Sequence, residues 1–144
     1  MRKVNNYIPY YQFKNKHMPQ ISLRISKNIE MNQVDFQKLF VAIHHALRDV
    51  PDLDIKTCHS GVIQEDFSYI GLGDDRLTKM FLEIYWLESE KRIAIKNDVA
   101  LKLMKILEDI IVPQIEKQNL ICIPRVRIVD LGKLGQDYHI SKRS

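Results

Sequence analysis

Between Pro19 and Ser26 the apolar residues Ile21, Leu23 and Ile25 alternate with Gln20, Ser22, Arg24 and Ser26, the period of a strand with one buried face. The period then changes. Phe36, Leu39, Phe40, Ile43 and Leu47 recur at helical spacing, which predicts an amphipathic helix over about 33–49 with Asn32 as its N-cap and Pro51-Asp52 as its stop. An extended segment over about 54–69 follows, and Gly71-Leu72-Gly73-Asp74-Asp75 reads as a plain hairpin turn. The strand after it, Met80 to Glu88, is apolar on both faces, with Phe81, Tyr85 and Leu87 on one and Leu82, Ile84 and Trp86 on the other. A second helical stripe runs through Ile95, Val99, Leu103, Ile106, Leu107, Ile110 and Ile111, predicting a helix over about 93–118 that Pro113 ends or kinks. Leu120 to Asp130 reads as a last strand.

The order is strand, helix, strand, twice over. Two βαβ units with right-handed crossovers would join into one four-stranded mixed sheet with both helices on one face, an α+β fold. The bare face of such a sheet calls for a partner, and the two-faced strand at Met80 to Glu88 supplies apolar residues for a second subunit. The chain divides into an amino-terminal segment 1–18, a domain over 19–130 and a polar tail over 131–144 that would reach across an interface. MRKVNNYIPYYQFKNKHM has neither period. It reads either as upstream sequence before a start at Met18, or as an arm whose Tyr7, Tyr10, Tyr11 and Phe13 pack on a neighbour.

Composition narrows the class. The 144 residues, 45% hydrophobic and 28% charged, suit one soluble globular domain and not a disordered chain. The net charge of +4 belongs to the ends: without Arg2, Lys3, Lys14, Lys16, Lys142 and Arg143 the body has sixteen basic against eighteen acidic side chains. A phosphate-binding groove, and so a nucleic-acid partner, is poorly supported. Two cysteines, Cys58 and Cys122, lack metal-ligand spacing and fit a reducing, cytoplasmic setting. No apolar run approaches the roughly 20 residues of a membrane span, and residues 1–18 lack the apolar core of a secretory signal. Adjacent His44 and His45 face different ways on their helix, so no metal site is expected.

Several residues together carry a resemblance. Met18-Pro19, the two βαβ halves, the turn Tyr69-Ile70-Gly71-Leu72-Gly73, Phe81 in the next strand and Arg92 at the strand-to-helix junction resemble the 5-carboxymethyl-2-hydroxymuconate isomerase family of the tautomerase superfamily. The resemblance covers about residues 18–130 and rests on order and spacing, not on one motif. It implies a homotrimer with sites near subunit boundaries and a cofactor-free isomerase acting on a small unsaturated keto or enol carboxylate. It also implies that Pro19, as the mature amino terminus, is the general base that later returns the proton. Arg92 would hold the substrate carboxylate and steady the enolate.

The family pattern is altered at three places. Ile55-Lys56-Thr57-Cys58 lacks the arginine common in that strand, leaving Lys56 as the nearest cation; Glu83 follows Phe81-Leu82 where a histidine is usual; and Lys91 replaces the glycine before the junction arginine. Lys56 and Glu83 therefore join Arg92 as candidate substrate-binding residues. Each also has a structural reading. Pro19 suits the start of a strand, Arg92 a helix entry, Glu83 a cross-strand pair with Arg125 or Arg127, and Cys58 a small core position. Two non-enzymatic alternatives stay open: a non-catalytic tautomerase-fold trimer, and a partner-binding module that uses the aromatic, basic residues 1–18.

Overall fold

The computed structural model describes residues 19–132 together with 134, 135, 137, 139 and 141; the expectations for residues 1–18 and for most of the tail lie outside these. β1, Gln20–Ile25, follows the alternation read from the sequence. Ile21, Leu23 and Ile25 are at most 4% exposed, so one face of the strand is sealed. After a 3-10 turn at Met31–Gln33 comes α1, Phe36–Leu47, which buries Leu39, Ile43 and Leu47 against the sheet. Each such side chain contributes about 1.5–3 kcal/mol of burial. The cap of α1 is Asp35, whose carboxylate accepts from the Lys38 amide, and not Asn32, which is taken up in the 3-10 turn. Either residue type can cap; the turn moves the helix start three residues on.

A second 3-10 turn, Ile55–Thr57, leads into β2, His59–Gln64, so the extended segment is shorter than its sequence range. Its length is set by pairing: the six residues of β2 match the six of β1 in parallel, from Gln20 opposite His59 to Ile25 opposite Gln64. β3, Met80–Leu87, lies on the other side of β1 and runs antiparallel to it. The hairpin reading of Gly71 to Gly73 is therefore overturned, because β1 separates β2 from β3. That segment is part of a long connection, in which Gly71 and Gly73 adopt φ of 59° and 89°. A side chain at either position would meet backbone strain.

α2, Glu90–Ile110, starts at Ser89, whose hydroxyl accepts from the Arg92 amide, and Glu90 places a negative charge where the helix dipole favours one. Pro113 breaks the helical run: Ile111 closes α2, and α3, Val112–Glu116, begins with the proline in its first turn. β4, Pro124–Leu131, pairs in parallel with β3 from Met80 opposite Pro124 to Leu87 opposite Leu131. The strand thus starts later than the sequence reading placed it, since Leu120 to Ile123 lie beyond the start of β3.

The sheet order is β2-β1-β3-β4, and the two βαβ units form one mixed sheet as expected. Met80, Leu82, Ile84 and Trp86 of β3 share the buried side with Ile21, Leu23 and Ile25 and with Val99, Leu103 and Leu107 of α2. The other side of the sheet carries Gln20, Ser22 and Arg24, then Phe81, Glu83 and Tyr85, then Arg125 and Arg127, by strand parity. Among the described residues no helix is long and apolar enough to cross a membrane.

Candidate active site

The antiparallel pairing of β1 and β3 puts the beginnings of β1 and β2 at the same end of the sheet as the finishes of β3 and β4. Pro19 lies there, buried, its carbonyl accepting from the His59 amide at 3.2 Å. Extending the register by one residue sets it between Cys58 and Trp86 on the helix-facing side. A proline suits this entry position because the ladder asks nothing of its nitrogen.

Trp86 is fully buried, and its indole Nε1 donates to Asp130 Oδ1 at 2.7 Å. The Lys96 ammonium donates to the other oxygen of the same carboxylate at 2.5 Å. Burial alone would raise the Asp130 carboxyl, but the hydrogen bonds from Lys96 and Trp86 and the Lys96 and Arg92 charges outweigh it and hold it below the ordinary aspartate value. The stability this adds is fully present above the unfolded-state value of about 3.9 and is lost as pH falls through the lower folded value. Urea midpoints taken from about pH 7 down to about pH 2 should therefore fall more steeply for the native protein than for Asp130→Asn across that acid range. Parallel curves would show that Asp130 carries no linkage.

Arg92 is 5% exposed. Its Nε donates to the Leu87 carbonyl at 2.7 Å and its Nη1 to the Pro51 carbonyl at 3.0 Å, joining the end of β3 to the stop after α1. Burial lowers its pKa, opposed by the Asp52 and Asp130 charges. Lys56 is exposed on the turn before β2 and makes no ion pair among the described residues. The turn itself is held by Asp54, which accepts from the Lys56 amide at 3.2 Å and from the Thr57 hydroxyl at 3.0 Å.

Pro19, Lys56 and Arg92 thus come to one end of the sheet. Glu83 does not. It sits in the middle of β3 on the opposite face, 7% exposed, and accepts from Arg127 Nε at 3.2 Å and from Nη2 at 2.5 Å. Arg127 is one of the two partners the sequence offered for it, and its guanidinium also lies over the Phe81 ring, 5.1 Å from the centroid. The Tyr85 hydroxyl bonds the same carboxylate; burial and then the Glu83 charge push that phenol up.

Three polar residues near the proline end were not singled out by sequence reasoning as site residues. Asp130 is one. The others are His44 and Ser60, whose Nε2 and Oγ are 2.5 Å apart, with Cys58 Sγ 3.9 Å from the same nitrogen. The usable signal was parity: Cys58 and Ser60 alternate onto the helix-facing side of the segment, where α1 has to cover them. His44 and His45 diverge as expected, one half-buried and the other exposed.

Sequence comparison finds no matching family model and no matching curated protein. Structure comparison does find relatives of the fold. The chain is similar to a 5-carboxymethyl-2-hydroxymuconate isomerase from Deinococcus radiodurans R1, with a TM-score of 0.71 and 13% identity over 88% of this chain and 92% of that one. It is also similar to a macrophage migration inhibitory factor-like protein from Entamoeba histolytica, at a TM-score of 0.56 and 14% identity over 88% and 99% of the two chains. A structure described as a fused 4-OT wild type symmetric trimer matches at a TM-score of 0.54 and 12% identity, over 79% and 86%. The fold is therefore tautomerase-like, as the sequence resemblance implies.

Proposed function

We propose that the protein is a cofactor-free isomerase that moves a proton within a small unsaturated keto or enol carboxylate, with Pro19 as the general base. The observation that carries this reading is the buried Pro19 at the entry to β1 in a tautomerase-like fold, at the sheet end shared with Lys56 and Arg92. The chemistry requires that the mature chain begin at Pro19, since only then is its nitrogen a basic secondary amine. An α-amine has an ordinary pKa of about 7.7–8.0, and apolar surroundings lower it, so the neutral base is available near pH 7. It takes a proton from carbon, leaving an enolate, and returns it at another carbon.

Lys56 supplies an exposed ammonium for the substrate carboxylate. Arg92 has guanidinium donors beyond the two held by Leu87 and Pro51, and these would face the enolate. Glu83 enters the site only through assembly: in a homotrimer its sheet face would meet the boundary with the next chain. The partly buried Phe81, Tyr85 and Leu87 on that face and the symmetric trimer among the similar structures support such an assembly.

The test pairs an intact-mass measurement of the protein from its own cell with tautomerase assays on phenylenolpyruvate and 2-hydroxymuconate. A chain beginning at Pro19 should be active, and Pro19→Ala should lower kcat/KM by at least about 100-fold. An uncut chain, or equal rates for the variant, would refute proline catalysis. The second reading, a non-catalytic trimer or partner-binding module, draws on one observation: the buried Arg92 already gives its Nε and Nη1 to main-chain carbonyls. Inactivity of a chain that does begin at Pro19 would favour it.

A further inference from the structure

His44 is fixed from two sides. Ile43 and Leu47 of the same helix are fully buried, which sets the rotation of α1, and Ser60 is held opposite Ile21 in the parallel ladder. The Ser60 hydroxyl and His44 Nε2 then meet at 2.5 Å. Burial, and to a lesser degree the neighbouring His45, lower the His44 pKa, which favours the neutral ring; in the tautomer protonated at Nδ1, Nε2 accepts the serine proton. Cys58 is a poor competitor for the role of nucleophile: its sulfur is 3.9 Å from the ring and burial pushes its thiol up to about 11. Along α1 a depression of about 410 Å³ is lined by Gln37, Phe40, Val41, His44 and His45. Phe40 and Val41 are its apolar lining, His44 is the member of the pair that reaches it, and among the described residues no lysine, arginine or carboxylate lines it.

We propose that Ser60 and His44 are a nucleophile and general-base pair that hydrolyses small uncharged esters, whose acyl chain lies on Phe40 and Val41. Ser60 Oγ bonds to the ester carbonyl carbon while its proton passes to His44 Nε2. The bond from that carbon to the alkoxy oxygen breaks, and the alcohol leaves with the proton from His44. Water then adds to the acyl-serine, giving a proton to His44, and the acid departs as Ser60 recovers its proton. The site asks for an uncharged ester because no lysine or arginine in its lining would balance the charge of a carboxylate. It needs no free proline amine, so it stands or falls apart from the isomerase reading.

The experiment is 4-nitrophenyl butyrate hydrolysis by the full chain, together with fluorophosphonate labelling mapped by peptide mass spectrometry. One adduct on Ser60 is expected, with hydrolysis lowered by at least about 100-fold in Ser60→Ala and in His44→Gln, and with labelling of Ser60 retained in Cys58→Ser. Absence of a Ser60 adduct in the unaltered protein, an adduct on Cys58 instead, or unchanged hydrolysis by Ser60→Ala would each overturn the proposal. Circular dichroism shows whether His44→Gln folds; if it does not, the labelled unaltered chain and Ser60→Ala decide.

Discussion

Replacing Trp86 by alanine should lower unfolding free energy by about 3–5 kcal/mol, the range seen for deletion of a large buried aromatic. The side chain is completely buried on the helix-facing side of β3, packed among the core residues of the sheet and helices. Its removal would leave a cavity at the sheet end that holds Pro19, and would free Asp130 from one of its two donors. Against a whole-domain stability of about 5–15 kcal/mol this is a large fraction. Leu101→Ala, at 70% exposure on α2, is the matched control and should change stability by less than about 0.5 kcal/mol. Urea unfolding of the two variants side by side is the measurement; a Trp86→Ala loss below about 1 kcal/mol would mean that the core does not depend on this residue.

Arg92→Met should cost about 2–4 kcal/mol by stranding two main-chain carbonyls. The methionine keeps the apolar stem but gives nothing to the Leu87 and Pro51 oxygens, which the guanidinium bridges between α1 and β3. Arg92→Lys, able to reach one carbonyl, should restore part of the loss. The variant also separates two roles. If stability is unchanged while KM for an enol carboxylate rises, the arginine serves the ligand; if stability falls, its first duty is to hold the sheet end together.

What could be read from the chain was what depends on neighbours along it. The alternation of Ile21, Leu23 and Ile25 and the stripe through Leu39, Ile43 and Leu47 appear in the structure as sealed faces, because periodicity reports burial directly. Asp35 displaced Asn32 as a cap because two good capping residues stood three apart and a 3-10 turn decided between them. The hairpin reading of the glycine turn failed for a different reason: a turn shows that the chain reverses, not which strand waits at the far side. Contacts distant in sequence were least legible. Nothing near Arg92 indicates that the Pro51 carbonyl would be its partner, and the His44 to Ser60 contact crosses from helix to strand. Glu83 was the exception, since a carboxylate among apolar strand residues demands a cation and Arg127 stood on a neighbouring strand.

The pairing of β1 with β3 has an approximate two-fold axis through Leu23 and Leu82: on the helix-facing side Ile21 opposite Ile84 and Ile25 opposite Met80 exchange with one another. Under that rotation Pro19, which precedes β1, maps onto Thr78, buried two residues before β3. The scaffold thus offers two equivalent ends, but the chain can supply a terminal nitrogen to only one. At the other end Thr78 has an amide and a hydroxyl that both donate to the Ile121 carbonyl. Duplicating the βαβ unit therefore doubles the architecture without doubling the amine, and on the isomerase reading an assembly of such chains would carry one proline site per polypeptide, however symmetric its fold.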